Sequence, residues 1–476
     1  MLLEDASLVD DLEDVRRAML DLRLGEAERL LKHLGANGGE VAAEYHRATI
    51  ALVRALFADD PDHLAAFHEH ADRLKSLLDD ADDSSWRTYL YGERDFQRAV
   101  AYAKEGRNIR AAMAARGAHK ALDGLIKQDP SFAEAYKSLG VIKIAIGTMP
   151  GRYQSILGVF GFRGSVEEGL GMLRTAAGES RYNRPEAVMY LAVMLSQTDR
   201  SSDEPIRLIE ELALQYPSSP LVNYVSGYLL LHHRHAARAE EAFRRAANDS
   251  ADWYIDFTDY YLGHSLFVQD RFEEAERYYR SYLDRNDDEV LRAQTLLGLG
   301  LAIEMQGDRQ QALKWYKMVS DDRGEDSDIA AALEAGLRLE TPITGRTRDL
   351  LLARNAFDSG RYDRAAKMLA ALLNETDLTP AERAEAAYRL GRVYHSTGRE
   401  EDALAWYAQG ALNSEFIGGR WAPWGHFYRG EIFAARGQSE RARSEYERAG
   451  SFSHEYDYKT ALESSVRAAL ELLDSR

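Results

Sequence analysis

The residues able to bind a metal, cradle a phosphate or move a proton are quickly surveyed. Histidines occur in two groups, His63, His68 and His70, and His232-His233-Arg234-His235. A zinc helix needs His-Glu-x-x-His, which sets two imidazoles one turn apart with the base between them. His63 and His70 share a helix face, but Glu69 and His70 do not complete that motif. The second group falls where a turn is expected, so its imidazoles diverge, and no carboxylate stands at ligand spacing. The glycines of 147–164 are not followed by Gly-Lys-Ser/Thr and no strand precedes them, so they make no phosphate cradle. Cysteine is absent, which removes disulfides, thiolate metal sites and thiol nucleophiles. No Gly-x-Ser-x-Gly elbow occurs. Carboxylates are abundant, but they alternate with arginine at helical spacing, as surface pairs do. No motif fixes two of them in one cleft. The expectation is a chain that is not an enzyme and carries no metal or cofactor.

The elements that carry these residues are expected to be helices. Alanine and leucine are abundant, alternating Val/Ile/Thr runs are scarce, and only 10 of 476 residues are proline. Hydrophobic residues make up 45%, enough for a large core and too many for general disorder. The formal net charge is -18, which repels nucleic-acid phosphates, and no run of five Lys/Arg offsets it. No nucleic-acid partner is expected. No apolar stretch is long enough for a membrane span. The first residues, Met1-Leu2-Leu3-Glu4-Asp5, lack the basic and apolar regions of a secretory signal, so the chain as given is expected in the cytoplasm, with an exported mature form as the alternative.

Self-similarity organises the C-terminal half. Each copy has a small residue, a turn residue seven later, an alanine five after that and a large apolar residue four further on. The clearest sets are Gly263/Asp270/Ala275/Tyr279, Gly300/Gly307/Ala312/Tyr316, Gly391/Gly398/Ala403/Tyr407 and Gly430/Gly437/Ala442/Tyr446. Two weaker sets are Ala353/Gly360/Ala365/Leu369 and Gly227/Arg234/Ala239/Phe243. The small residue and the alanine suit the close crossing of two antiparallel helices. The turn glycine suits a left-handed residue ending the first helix. The aromatic fills the gap between one pair and the next. A single pair cannot bury both faces, so neighbours must stack.

These sets resemble the tetratricopeptide repeat (TPR) family, whose repeat is about 34 residues. The frames here are longer, and the interval between Gly300 and Ala353 has room for an extra helix at 328–339. The resemblance implies an all-α, right-handed α-α superhelix, a TPR-like solenoid of about nine or ten helix pairs. Three regions are expected: divergent pairs over 1–130, with a turn at Gly25; degenerate pairs over 131–220, holding a Gly/aromatic insertion at 147–164; and a repeat array over 221–476 ending in a capping helix. The insertion, with Gly161-Phe162-Arg163-Gly164 and then Gly169-Leu170-Gly171-Met172-Leu173, is similar to that of the inclusion-body-clearance TPR subfamily.

In such a superhelix the first helix of each pair lines the inner face. The frame then puts Tyr224, Tyr228, Tyr260, His264, Phe267, Arg354, Tyr388, Arg392, His395 and Trp424 inside, with Glu304 and Phe357 at the same positions. Aromatics with arginine anchor protein interfaces. The leading expectation is therefore a scaffold that binds a protein or peptide segment in this groove; the competing reading of each aromatic is packing between neighbouring first helices. The Lys/Asn set with which chaperone-binding TPR proteins clamp a terminal carboxylate is absent. A second hypothesis is a lipid or small apolar ligand held by Ile156, Phe160 and Phe162 of the insertion, against the alternative that these tuck into the solenoid. A third is a glycan-active enzyme in a helical toroid, which needs facing carboxylates in a central cavity. Oligomeric state is left open, a homo-oligomer included.

Overall fold

The computed structural model describes residues 6–58, 61–149, 162, 164–198, 202–247, 251–286, 290–320, 325–414 and 418–474. Among them the regular elements are all helical, as the Ala- and Leu-rich composition requires. They group into two compact units: Met1–His233 with Glu241–Thr258, and Arg234–Glu240 with Asp259–Arg476. The sequence boundaries at 130 and 220 both lie inside the first unit.

Unit 1 contains α1 (Ala6–Leu20), α2 (Leu24–Leu34), α3 (Glu40–Phe57), α4 (Pro61–Asp80), α5 (Ser85–Lys104) and α6 (Asn108–Gln128). It continues with α7 (Ala135–Gly147), α8 (Val166–Glu179), α9 (Arg184–Thr198), α10 (Glu204–Gln215) and α11 (Pro220–His232). Helices α12 (Ala236–Ala246) and α13 (Phe257–Phe267) each have residues in both units. Unit 2 holds α14 (Phe272–Arg285), α15 (Arg292–Met305), α16 (Arg309–Tyr316), α17 (Asp326–Glu340), α18 (Gly345–Asp358) and α19 (Tyr362–Leu373). The remaining elements are α20 (Pro380–Ser396), α21 (Glu400–Ser414), α22 (Trp421–Ala435), α23 (Ser439–Gly450) and α24 (Lys459–Asp474). Helix α17 spans the 328–339 interval, and α24 is the last described helix.

The turn inside a pair follows from one backbone device. Gly307, Gly360, Gly398 and Gly437 all have positive φ, between 70° and 99°. The next amide reaches back to close the first helix, as in Arg361 N to Ala356 O at 2.7 Å and Arg399 N to Tyr394 O at 2.8 Å. Arg234 and Asp270 take the same conformation at the equivalent positions, at φ 63° and 66°, without the freedom of glycine. So does Leu22, at φ 52°, between α1 and α2. The turn expected at Gly25 therefore falls at 21–23. Gly25 lies inside α2, where its amide and that of Leu24 each donate to the Asp252 carboxylate at 2.7 Å. Asp252 thus supplies from 228 residues away the cap that α2 lacks locally. Ser219 Oγ, donating to Leu20 O at 2.6 Å, makes a second such tie.

The repeat glycines are explained by the aromatic four residues after each alanine. A Cβ on Gly300 would lie 2.5 Å from the Tyr316 ring, and one on Gly391 would lie 2.7 Å from Tyr407. Tyr279 presses on Gly263 of its own pair and on Gly298 of the next, each at 2.8 Å from where a Cβ would stand. It thereby locks two first helices and one second helix with a single ring. The alanines Ala239, Ala275, Ala312, Ala365, Ala403 and Ala442 are all completely buried.

Glycines of the insertion region serve packing. A Cβ on Gly169 would stand 2.5 Å from Gly140 O, and one on Gly164 would stand 2.5 Å from Lys143 O. Helices α7 and α8 cross at backbone contact there. Phe162 is buried among Phe96, Ala118, Ile142 and Ile146, edge-on to His119. Ile156 and Phe160 lie outside the described residues.

Candidate functional site

First helices α1, α3, α5, α7 and α9 carry a polar cluster that no sequence motif announces. Glu93 of α5 is fully buried; its Oε2 meets Lys137 Nζ of α7 at 2.7 Å and accepts from Tyr45 Oη of α3 at 3.2 Å. Burial opposes the Lys137 charge, but Glu93 outweighs it and the ammonium pKa is raised. Burial lifts the Glu186 carboxyl above its usual range. Burial, with Arg16 and Lys137 nearby, holds His46 down to about 4. Only the fold brings these residues together; Glu93 and Lys137 are 44 positions apart on different helices. A cleft of about 470 Å³ in unit 1, which shares Arg16 with this cluster, is lined by Glu13, Asp14, Arg16, Arg17 and Tyr216. It pairs no nucleophile with a base.

The ten expected groove residues divide by burial. Tyr224, Phe267 and Tyr388 are buried and pack as core. Tyr224 stands edge-on to Phe57 and Phe243, and Phe267 edge-on to Phe272. Tyr228 in unit 1 is half-buried and stacks on His232. In unit 2, Tyr260, His264, Arg354, Arg392, His395 and Trp424 are all half-buried. Glu304 is a structural tie: it pairs with Arg309 at 2.7 Å and accepts from Tyr316 Oη at 2.8 Å and Ile343 N at 2.9 Å.

The half-buried residues of unit 2 form an aromatic surface crossed by guanidinium groups. Tyr260 and His264, one turn apart on α13, stack at 6.1 Å with rings parallel within 1°. Burial raises the Tyr260 phenol pKa and lowers that of His264. The Arg392 guanidinium carbon lies 3.9 Å above the Tyr428 ring, close enough for a cation–π contact. Tyr428 stacks in turn on Trp424 and Tyr407 at 5.7 Å each. His395 Nδ1 is 3.3 Å from Tyr407 Oη, and burial, then the Arg392 charge, holds that imidazole down to about 4. Burial also lowers Arg354 from its ordinary value. Tyr428 and Arg234 are the members the repeat frame did not single out. Tyr428 follows Trp424 by one helical turn, a spacing visible in sequence; Arg234, whose guanidinium carbon lies 4.4 Å from the Phe357 ring centroid, reads in sequence only as a turn residue.

Three histidines of the two sequence groups meet polar partners. His68 Nε2 is 3.1 Å from Glu105 Oε1, His70 Nδ1 is 2.6 Å from Glu44 Oε1, and His233 Nε2 is 3.0 Å from Ser196 Oγ. Among the described residues no group of three His, Asp or Glu could hold a metal ion. No described helix is long and apolar enough to cross a membrane.

Helix pairs closed by left-handed turns and wedged by repeat aromatics define an all-α, TPR-like solenoid, and the chain belongs to the tetratricopeptide repeat family, matching it over residues 260–327 and 350–414. Within it, residues 132–288, which include the insertion, match the Iml2/Tetratricopeptide repeat protein 39 family. No curated protein matches the chain. Among solved structures it is similar to yeast Tom70, at 14% identity over 94% of this chain and 91% of that one, with a TM-score of 0.33. Similarity extends to a Rap protein complexed with Competence and Sporulation Factor, at 13% identity over 79% and 98% of the two chains, TM-score 0.38. The human IFIT1 dimer with PPP-AAAA is also similar, at 13% identity over 86% and 95%, TM-score 0.37.

Proposed function

We propose that this protein is a non-catalytic scaffold that binds a peptide or helical segment of a protein partner on the aromatic face of unit 2. One observation carries the proposal: Trp424, Tyr428 and Arg392 form a ladder that packs against the core on one side yet stays only half-buried. Trp, Tyr and Arg supply most of the binding energy of protein interfaces, because each buries a large area with few rotatable bonds and keeps a polar end. Membership of a repeat family whose neighbours stack side by side supports the same function.

The test compares partners captured from the source cells by the wild-type chain and by Tyr260→Ala/Trp424→Ala, identified by mass spectrometry. Circular dichroism first establishes that the variant keeps its helix content. Specific partners lost by the variant support the proposal. An unchanged set of partners refutes it.

A further inference from the structure

Phe357 of α18 lies under two guanidinium groups: Arg234 Cζ at 4.4 Å from the ring centroid and Arg392 Cζ at 5.7 Å. Arg354 precedes Phe357 by three residues on the same helix, which puts it on the same face. Among the described residues none of the three arginines forms an ion pair, although each is half-buried. Every other arginine from Arg346 to Arg436 does so or donates to a carbonyl. The neighbouring carboxylates are engaged elsewhere: Asp270 with Arg361 and Arg364, Glu385 with Arg389, Glu400 with Arg436 and Glu334 with Arg338. Asp358 acts on Arg354 only at longer range. Two guanidinium groups thus meet one ring, with a third, Arg354, on the same face of α18, in a chain whose net charge is -18.

We propose that Arg234, Arg354 and Arg392 receive the side-chain carboxylates of an acidic segment of the protein partner. This rests on the scaffold function above and specifies the chemistry its ligand must carry. Guanidinium forks match carboxylates bidentately, and a half-buried site strengthens the pairing by limiting competition from water. Trp424 and Tyr428, contiguous with Arg392, suit an apolar side chain next to the acidic one. The overall negative charge selects against a continuous polyphosphate strand, which would meet repulsion beyond these three residues. A short segment with two or three carboxylates engages only the local positive site.

The probe is a fluorescein-labelled peptide of alternating Glu, Leu, Asp and Trp, compared with its Gln, Leu, Asn, Trp counterpart by fluorescence anisotropy on the full chain. The acidic peptide is expected to bind at least about tenfold more tightly, with the difference shrinking as salt rises. Arg354→Ala/Arg392→Ala and Arg234→Ala/Arg392→Ala, each retaining wild-type helix content, should bring the acidic peptide to the affinity of the neutral one. Arg399→Ala, on an exposed turn where Arg399 pairs with Asp402, should change nothing. Equal affinity for both peptides, no binding of the acidic peptide, unaltered binding by the double variants, or tighter binding of single-stranded poly(U) RNA would each overturn the proposal. If Tyr260→Ala/Trp424→Ala abolishes partner capture while the arginine variants do not, the scaffold function stands and the acidic ligand falls. If neither affects capture, both fall.

Discussion

Lys137 Nζ lies 2.7 Å from Glu93 Oε2, and these two residues join α7 to α5 where water scarcely reaches. Removing one partner leaves the other charge buried and uncompensated. Lys137→Met should destabilise unit 1 by about 3–5 kcal/mol. Glu93→Leu/Lys137→Met together should recover most of that loss, because two apolar side chains of similar volume need no counter-charge. Urea titration followed by circular dichroism reads both. Equal instability of the single and double variants would show that the pair is not what Lys137 stabilises.

Gly300 and Gly336 both sit inside helices, yet alanine should act on them in opposite directions. At Gly300 the new methyl meets the Tyr316 ring at 2.5 Å, so the two helices must part. Gly300→Ala should lower stability by roughly 1–3 kcal/mol. At Gly336 a Cβ meets nothing within 4 Å, and Gly336→Ala should raise stability by roughly 0.5–1 kcal/mol by restricting the unfolded chain. Thermal melts of the two variants decide.

Asp270 combines an unfavourable backbone conformation with a hub of contacts. Its carboxylate pairs with Arg364 at 2.9 Å and Arg361 at 3.1 Å, and accepts from Asn355 at 3.2 Å. Asp270→Ala removes these contacts while keeping the Cβ at φ 66°. Asp270→Gly removes the same contacts and releases the strain. The alanine variant should be less stable than the glycine variant by about 1 kcal/mol, and both should melt below wild type.

His46 and His395 are both held down to about 4, chiefly by burial. Near pH 5 the unfolded chain, with ordinary imidazoles, binds protons that the folded chain does not. The stability tied to neutral histidine is therefore complete above about pH 6.5 and falls as pH drops towards 4. His46→Gln/His395→Gln should flatten the decline in melting temperature between pH 7 and pH 5. A decline as steep as that of the wild type would mean other groups set the acid sensitivity.

Much of the fold is legible in sequence because the device that makes it is local. A left-handed residue ends the first helix, an alanine follows five later, and an aromatic four after that. Where glycine supplies the turn, as at Gly307, Gly398 and Gly437, the spacing reads directly. Where Leu22 takes the same conformation, the marker is gone, and a glycine three residues on misleads. Phe162 shows the same limit: an apolar residue in a loop has one signature whether it enters a core or meets a ligand.

By itself the sequence determined the helices, the period of their pairing, the absence of thiol chemistry, and the candidate face, since each follows from residue type and from spacings shorter than one repeat. Only the tertiary structure decided which of those aromatics are core, that Asp252 caps α2, that Lys137 meets Glu93, and that Arg234 and Arg392 lie over Phe357 without ion pairs. Those relations join positions dozens to hundreds of residues apart. They depend on how far each pair rotates on the one before it, a quantity set by the summed packing of many side chains and written at no single position.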